Sequence, residues 1–514
     1  MAGRTSIRYC PGDVSEAASV PRPARVRVWR TRLVLGAALG TLTFAAVGLA
    51  LFARSGPRAP AATPGSSPKV LVYLVDTLRR DRLGVYGYDK PTSPRLDALA
   101  RECAVFDRAY APAPWTLPSV VSLLTSQDPL AHGVFTRGQR ADARTRSLAE
   151  SLHGHGWTTA AFVTNPFAGR ASGLERGYDR FEAVADQTID PADVMDWLAD
   201  PGSQPAFAYV HTTEPHKPYK SPQRFRDRLG DVPRRRRQQL NRQVRILHHL
   251  TNWDFRRQQA KGETKNDAQQ ARLRHELAEG AAELSMFYDA EVAWADDNVG
   301  RLVDLLRESG AWSSTLFVFV SDHGEEIFEH GDISHGQSLY AELVRVPMIV
   351  CHPDGLGAGR RIDAVVSLLD VMPTVLAHAG LPTTGLAGHD LTPLLRGEAA
   401  ASEPRITSVR LNRHKYSPAA EARRGSVNVA VTDGRWRGIW NVQGDTVELY
   451  DTATDPHEQQ DRATDDPARA AALGSLARQW AAGRWPADLA LEASRTEAMD
   501  EDTIRRLRAI GYLP

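Results

Sequence analysis

Cysteine is scarce in this chain of 514 residues, which holds only Cys10, Cys103 and Cys351. None stands close to another, so the spacing excludes a disulfide framework and a cysteine-rich zinc site. Each reads as a small packed residue or a solvated thiol. An excess of charge of one sign is also missing: the net charge of +1 gives no reason to expect nucleic acid as a partner. No internal repeat is evident. What is present is a hydrophobic content of 42%, ample for a large core in a chain longer than one simple domain needs.

Long apolar runs are absent but for one. Leu33 to Ala53, LVLGAALGTLTFAAVGLALFA, carries no charge. At about 1.5 Å per residue it is long enough to cross a hydrocarbon layer of ~30 Å. Arg22, Arg25, Arg27, Arg30 and Arg32 precede it. Positive charge tends to stay on the cytoplasmic side, which predicts a single-pass anchor with everything after Arg54 facing outward. A cleaved signal peptide is the competing reading, although the run exceeds the usual length of such an apolar region. The expected organisation is a basic cytoplasmic tail (1–32), a transmembrane anchor (33–53) and a linker (54–68) rich in Pro, Ala, Gly and Ser. A main domain (69–400) and a C-terminal subdomain (401–514) follow.

Within the main domain, short apolar, β-branched runs predict buried strands at Lys69–Val75, Thr158–Val163, Ala206–Val210, Leu316–Val320 and Val346–Val350. Helical spacing covers Pro94–Cys103, Leu148–His155 and Ala281–Leu306. This alternation indicates an α/β fold with a mostly parallel central sheet covered on both faces. After about residue 400 the texture changes. Ser426–Thr432, Arg435–Val442 and Thr446–Tyr450, joined by Asp433-Gly434 and Gly444-Asp445 turns, predict a smaller antiparallel sheet. Asp502–Tyr512 reads as a short terminal helix. Residues from about 220 to 280 form a strongly basic insertion, read as a solvated helix face or mobile segment, or as a basic lip for an anionic lipid, glycan or substrate.

The chemistry centres on Ala113–Ser119, APWTLPS. Proline is favoured in a first helical turn, so Thr116 is expected at a helix N-terminus, either as its cap or as a hydroxyl exposed to the electropositive end. Three strand ends supply metal-type ligands: Asp76, the Asp322-His323 pair, and His211 or His216. Carboxylates with imidazole suit a divalent cation such as Ca²⁺, Mg²⁺, Mn²⁺ or Zn²⁺. Thr116 would complete that shell, and coordination would make its hydroxyl a usable nucleophile. His216 and His335 would contact the substrate's anion or protonate the leaving group.

The runs VDTLRRDRLGVYGY (Val75–Tyr88), WTLPS (Trp115–Ser119), PHKPY (Pro215–Tyr219), SDHGE (Ser321–Glu325), HGQSLY (His335–Tyr340) and ELYD (Glu448–Asp451) occur in this order. Together they resemble the sulfatase family of the alkaline phosphatase superfamily, from about Lys69 to the C-terminus. The resemblance implies an alkaline-phosphatase-like α/β sandwich, one divalent metal ion held by Asp76, Asp322 and His323, and a nucleophile at Thr116. Formylglycine-dependent members carry Cys or Ser at that position. Oxidation of threonine, with its β-methyl, would give a ketone rather than the aldehyde, so no formylglycine is expected. Val120 also stands where their signature needs arginine. Threonine nucleophiles are found instead in the superfamily's phosphodiesterases and its phosphoethanolamine and phosphoglycerol transferases. The leading expectation is a metal-dependent hydrolase of phosphate or sulfate esters acting on an anionic glycan, lipid or small molecule. The alternatives are a transferase onto a lipid or glycan, and an anchored binding protein that has kept the fold without catalysis.

Overall fold

Val70 to Val75 are all buried, as a strand covered on both faces requires. The computed structural model describes residues 67–199, 204–230, 232–261, 267–399, 404–411 and 427–484, with Glu501 and Arg505 as isolated positions. The apolar run at 33–53, its basic tail and most of the linker lie outside the described residues, as does most of 502–512. Among the described residues no helix is long and apolar enough to cross a membrane.

The strands, in chain order, are β1 (Lys69–Val75), β2 (Ala104–Tyr110), β3 (Thr158–Val163), β4 (Arg180–Ala183), β5 (Ala206–Thr212), β6 (Thr315–Val320), β7 (Glu326–Ile327), β8 (Ile333–Ser334), β9 (Arg345–Val346), β10 (Met348–Cys351) and β11 (Arg361–Ser367). A second group comprises β12 (Arg405–Leu411), β13 (Val427–Thr432), β14 (Trp436–Asn441) and β15 (Thr446–Asp451). The central sheet runs β11-β2-β10-β6-β1-β5-β3-β4, with β9 paired to β2. From β6 to β4 all neighbours are parallel, and β10 is antiparallel to both β6 and β2. The small sheet, β12-β13-β14-β15, is antiparallel throughout. The architecture is therefore mixed α/β with a mostly parallel central sheet and a separate small antiparallel sheet, as the patterning predicts.

Alternation along β1 divides the core. Val70, Val72 and Leu74 pack on the face that holds Leu117, Val120 and Leu124 of the helix Thr116–Thr125. Leu71, Tyr73 and Val75 pack on the other face, with Leu284, Phe287 and Val299 of the helix Ala281–Glu308. This period of two is the geometry of a pleated strand.

Two expectations need revision. Cys103 and Cys351 form a disulfide, contrary to the reading of each as a lone packed or solvated residue. Their separation of 248 residues hides the pairing. The sheet creates it, because β10 lies antiparallel to β2 with Val350 opposite Ala104, which places the next pair of residues face to face. The second revision concerns Val346–Val350, which is broken at Pro347 into β9 and β10. Proline has no N–H for the ladder. The patterning does not single out β2, because it carries Asp107 and Arg108 in mid-strand. Arg361 and Asp363 of β11 meet them with opposite charge across the pair.

The basic insertion is helical, over Gln223–Leu229, Arg234–Lys261 and Asp267–Glu279. Leu240, Val244 and Leu247, at spacing i, i+4, i+7, join Leu273 and Leu277 in the core.

Candidate active site

Four neighbouring strands deliver the polar cluster. In parallel register Leu74 of β1 faces His211 of β5, Val320 of β6 faces Leu74, and Val163 of β3 faces His211. The residues just beyond these positions, Asp76, Asp322 and Asn165, therefore emerge side by side at the carboxyl edge of the sheet, where open α/β sheets bind ligands. All are buried, as are Thr116, His211 and His323.

Thr116 is the first residue of its helix and does not cap it. Trp115 occupies the cap position in extended backbone, with no side-chain cap bond. The helix is tied to the strand ends by Ser119, whose hydroxyl donates to the Asp322 carbonyl at 2.7 Å. The Thr116 hydroxyl thus sits at the positive end of a helix dipole.

His323 Nε2 lies 3.2 Å from Thr116 Oγ1, 3.5 Å from Asp76 Oδ1 and 3.6 Å from Asp322 Oδ2. Its Nδ1 faces the Gly324 carbonyl at 2.8 Å. A carbonyl only accepts, so Nδ1 carries the proton and Nε2 presents a lone pair to the hydroxyl and the cluster. Gly324 is required here by close approach, since a Cβ would overlap the Glu342 carbonyl. Asn165 Nδ2 donates to Asp76 Oδ2 at 2.6 Å and stands 3.5 Å from Thr116 Oγ1, so one amide spans carboxylate and hydroxyl.

Asp76, His211 and Asp322 each offer a ligand atom within 4.8 Å of the others, and together they can hold a metal ion. Asp76 Oδ1, Asp322 Oδ2 and His211 Nε2 are buried atoms with no hydrogen-bond partner. Such atoms are costly in a dry interior unless something else meets them. This donor set, two carboxylates and an imidazole, fits a divalent cation. The charge balance agrees. Burial, and then the charge of Asp76, pushes Asp322 well above the ordinary carboxylate range. Burial acts upward on Asp76 too, but the imidazoles of His211, 3.5 Å away, and of the nearby His216 and His323 outweigh it and hold that carboxyl low. Two carboxylates this close do not both ionise without added positive charge.

His335 packs beside His323 with ring centres 4.5 Å apart, and His216 follows at 5.2 Å from His335. The His335 Nδ1–H donates to Glu325 at 3.3 Å, and His216 Nδ1 donates to the Lys217 carbonyl at 2.6 Å. Burial lowers the pKa of all three imidazoles and of Lys217. Lys217 contacts Ser334 and lies 3.8 Å from Glu325.

The structure thus brings together Thr116, Asp76, Asp322 and His323, with His335 and His216 in one row beside them. Reading the motifs alone leaves His211 as an alternative to His216; the geometry sets His211 with the carboxylates and His216 in the row of rings. Asn165 and Lys217 are neighbours that residue type alone does not single out. For Asn165 the available signal was its place at the end of a predicted strand. A separate cavity of about 680 Å³, lined by Thr125, His132, Arg146, His155, Met372 and Leu386, opens near the opposite end of the Thr116–Thr125 helix and shares no residue with the cluster.

Comparison with known proteins agrees with this fold. The profile of the sulfatase family matches residues 68–381, and that of the N-sulphoglucosamine sulphohydrolase C-terminal region matches 329–481. Choline-sulfatase of Rhizobium meliloti (strain 1021) is 23% identical over 467 residues, covering 77% of this chain and 84% of that protein. N-acetylglucosamine-6-O-sulfatase of Bacteroides thetaiotaomicron is 22% identical, covering 76% and 82%. Arylsulfatase K of Xenopus laevis reaches 30% identity over 182 residues, but the match spans only 34% of this chain and 33% of that protein. Among solved structures, the phosphonate monoester hydrolase of Agrobacterium radiobacter superposes with a TM-score of 0.63 at 20% identity, covering 82% of this chain and 97% of that one. Fold and relatives together define an ester hydrolase of the mixed α/β type. The chain belongs to the sulfatase family.

Proposed function

We propose that this protein cleaves phosphate or sulfate esters through Thr116, by a covalent intermediate at its hydroxyl, with a divalent metal ion and without formylglycine. One observation carries the proposal: Thr116 Oγ1 lies 3.2 Å from the bare Nε2 of His323, in a buried cluster with Asp76 and Asp322. A divalent cation held by Asp76, Asp322 and His211 would supply fixed positive charge that lowers the cost of an anionic hydroxyl and of the ester's own oxygens.

The chain's residues do the rest. His323 Nε2 accepts the Thr116 proton as Oγ1 attacks phosphorus or sulfur. The Oγ1 bond forms as the bond to the ester oxygen breaks, and that oxygen takes a proton from His216 or His335, whose imidazole is protonated beside the bound anionic ester. Lys217 and the helix N-terminus favour the anionic group in the pocket. Water then attacks the same centre and gives a proton to the histidine that lost one, while Oγ1 takes its proton back from His323 and the phosphate, sulfate or phosphate monoester leaves. An unmodified hydroxyl suits phosphoryl chemistry better than sulfuryl, so phosphate esters are the first substrates to try.

The reading extends to location. The Arg-rich tail before Leu33–Ala53 supports a single-pass anchor with its N-terminus cytoplasmic. The Cys103–Cys351 disulfide supports a catalytic domain in an oxidising, extracytoplasmic space.

The test is mass spectrometry of the Thr116 peptide after brief incubation with bis(p-nitrophenyl) phosphate or p-nitrophenyl sulfate. An added phosphoryl-ester or sulfuryl mass on Thr116, absent from metal-stripped protein, is expected. Turnover with full activity retained in Thr116→Ala would overturn the proposal.

A further inference from the structure

The helix Arg234–Lys261 begins with six arginines, Arg234, Arg235, Arg236, Arg237, Arg242 and Arg245, and meets no acidic residue before Asp254. Such density stands out in a chain whose net charge is only +1. At 3.6 residues per turn, Arg234, Arg235, Arg242 and Arg245 fall within an arc of about 100°, opposite the Leu240, Val244 and Leu247 seam. Along the axis they extend over about 16 Å. All four are exposed, and among the described residues none of them makes an ion pair.

Several other arginines are paired. Arg236 of the same helix pairs with Glu283, Arg272 with Glu276, and Arg274 with Asp332. Arg95, Arg140 and Arg307 likewise meet acids. Among the described residues, the four-arginine stripe is a continuous run of cations without an acidic partner.

The stripe is also anchored beside the catalytic cluster. Asn241 donates to the carbonyl of Tyr219, three residues past His216. Arg274, on the helix packed against this one, lies 3.5 Å from Asp332, which sits just before β8 in the hairpin that leads to His335.

We propose that this stripe is an exosite for a linear polyanion, a sulfated or phosphorylated polysaccharide, which it holds so that an ester on the chain reaches Thr116. A narrow line of guanidinium groups matches a chain carrying charges along its length. A bilayer surface is the poorer fit. Among the described residues the apolar seam of this helix, Leu240, Val244 and Leu247, is already buried in the core and is not free to insert. The claim that the bound chain is also the substrate rests on the ester-hydrolase reading above; the binding itself does not.

The experiment uses the whole protein with dextran sulfate as the probe, measured by calorimetry at several salt concentrations. Wild type should bind it with an affinity that falls as salt rises. Replacing Arg234, Arg235, Arg242 and Arg245 together by Gln should weaken binding by roughly 10- to 100-fold. The same four changed to Lys should restore most of it, which separates lost charge from misfolding. On p-nitrophenyl esters, kcat/KM of all three proteins should agree. Equal binding by wild type and the Gln variant would overturn the exosite. So would tight, Arg-dependent binding to phosphatidylglycerol vesicles with none to dextran sulfate. Thr116→Ala should bind dextran sulfate as wild type does, so a failure of the catalytic reading leaves this result independent.

Discussion

Removing the Arg437 guanidinium should unlatch the small sheet from the α/β body. Arg437 of β14 is fully buried, and its Nη1 reaches both Glu458 oxygens at 2.7 Å. Its Nη2 donates to the Leu339 carbonyl at 2.6 Å, and Glu458 in turn accepts from the Ala341 N–H at 3.0 Å. The pair therefore joins the C-terminal sheet to the segment that follows His335. In Arg437→Met the apolar stem is kept while Glu458 is left buried without its partner. Breaking a buried pair from one side costs about 3–5 kcal/mol, most of it from the stranded charge. Burial already raises the Glu458 pKa, with Arg437 opposing, so loss of Arg437 raises it further. A carboxyl with a raised folded pKa stabilises the fold only where it can protonate, so the penalty should be smaller at pH 5 than at pH 8. Amide exchange in β13–β15, followed by mass spectrometry, should accelerate roughly 10²- to 10³-fold. Arg437→Met combined with Glu458→Leu should recover most of the loss, because an apolar pair of similar volume replaces an ion pair at little cost. If the single variant exchanges within about threefold of wild type, or the double variant is as damaged as the two singles summed, the latch has been misread.

Three further outcomes are expected. His330 stacks on Tyr340 and donates to Glu342 at 2.7 Å; although burial acts downward, this partner and the Glu458 carbonyl raise its pKa to about 9. Its stabilising effect is thus full below about pH 6.5 and lost as pH rises through about 9, at most ~3 kcal/mol, so the urea midpoint gap between wild type and His330→Gln should close between pH 6 and pH 10. Thr116→Ala should lower kcat by roughly 10³-fold or more on whichever ester is turned over, while Thr116→Ser keeps measurable turnover, as steady-state kinetics will report. Asn165→Leu leaves Asp76 Oδ2 without its 2.6 Å donor and should weaken metal retention by about 10- to 100-fold, read by metal analysis after dialysis against a chelator.

How far the chain can be read before folding is clear from particular elements. β1 and β3 were predicted to the residue, because an apolar run with helices over both faces has one local signature. The helix Thr116–Thr125 was likewise legible from its proline, and Asp76 and Asp322 from their places just past buried strands. β2 was not, since its charged centre is neutralised by residues distant in sequence, chiefly Arg361 and Asp363 of β11. Nor was the Cys103–Cys351 bond, which depends on the register of β10 against β2.

The amino-acid order by itself determined where strands, helices and acidic strand ends lie, since backbone and burial preferences repeat over a few residues. Only the tertiary structure decided that His211 stands with Asp76 and Asp322, that Asn165 bridges carboxylate and hydroxyl, and that four arginines line one exposed face beside the site. Distances through space follow from sheet order and register, and those are set by contacts between segments tens to hundreds of residues apart.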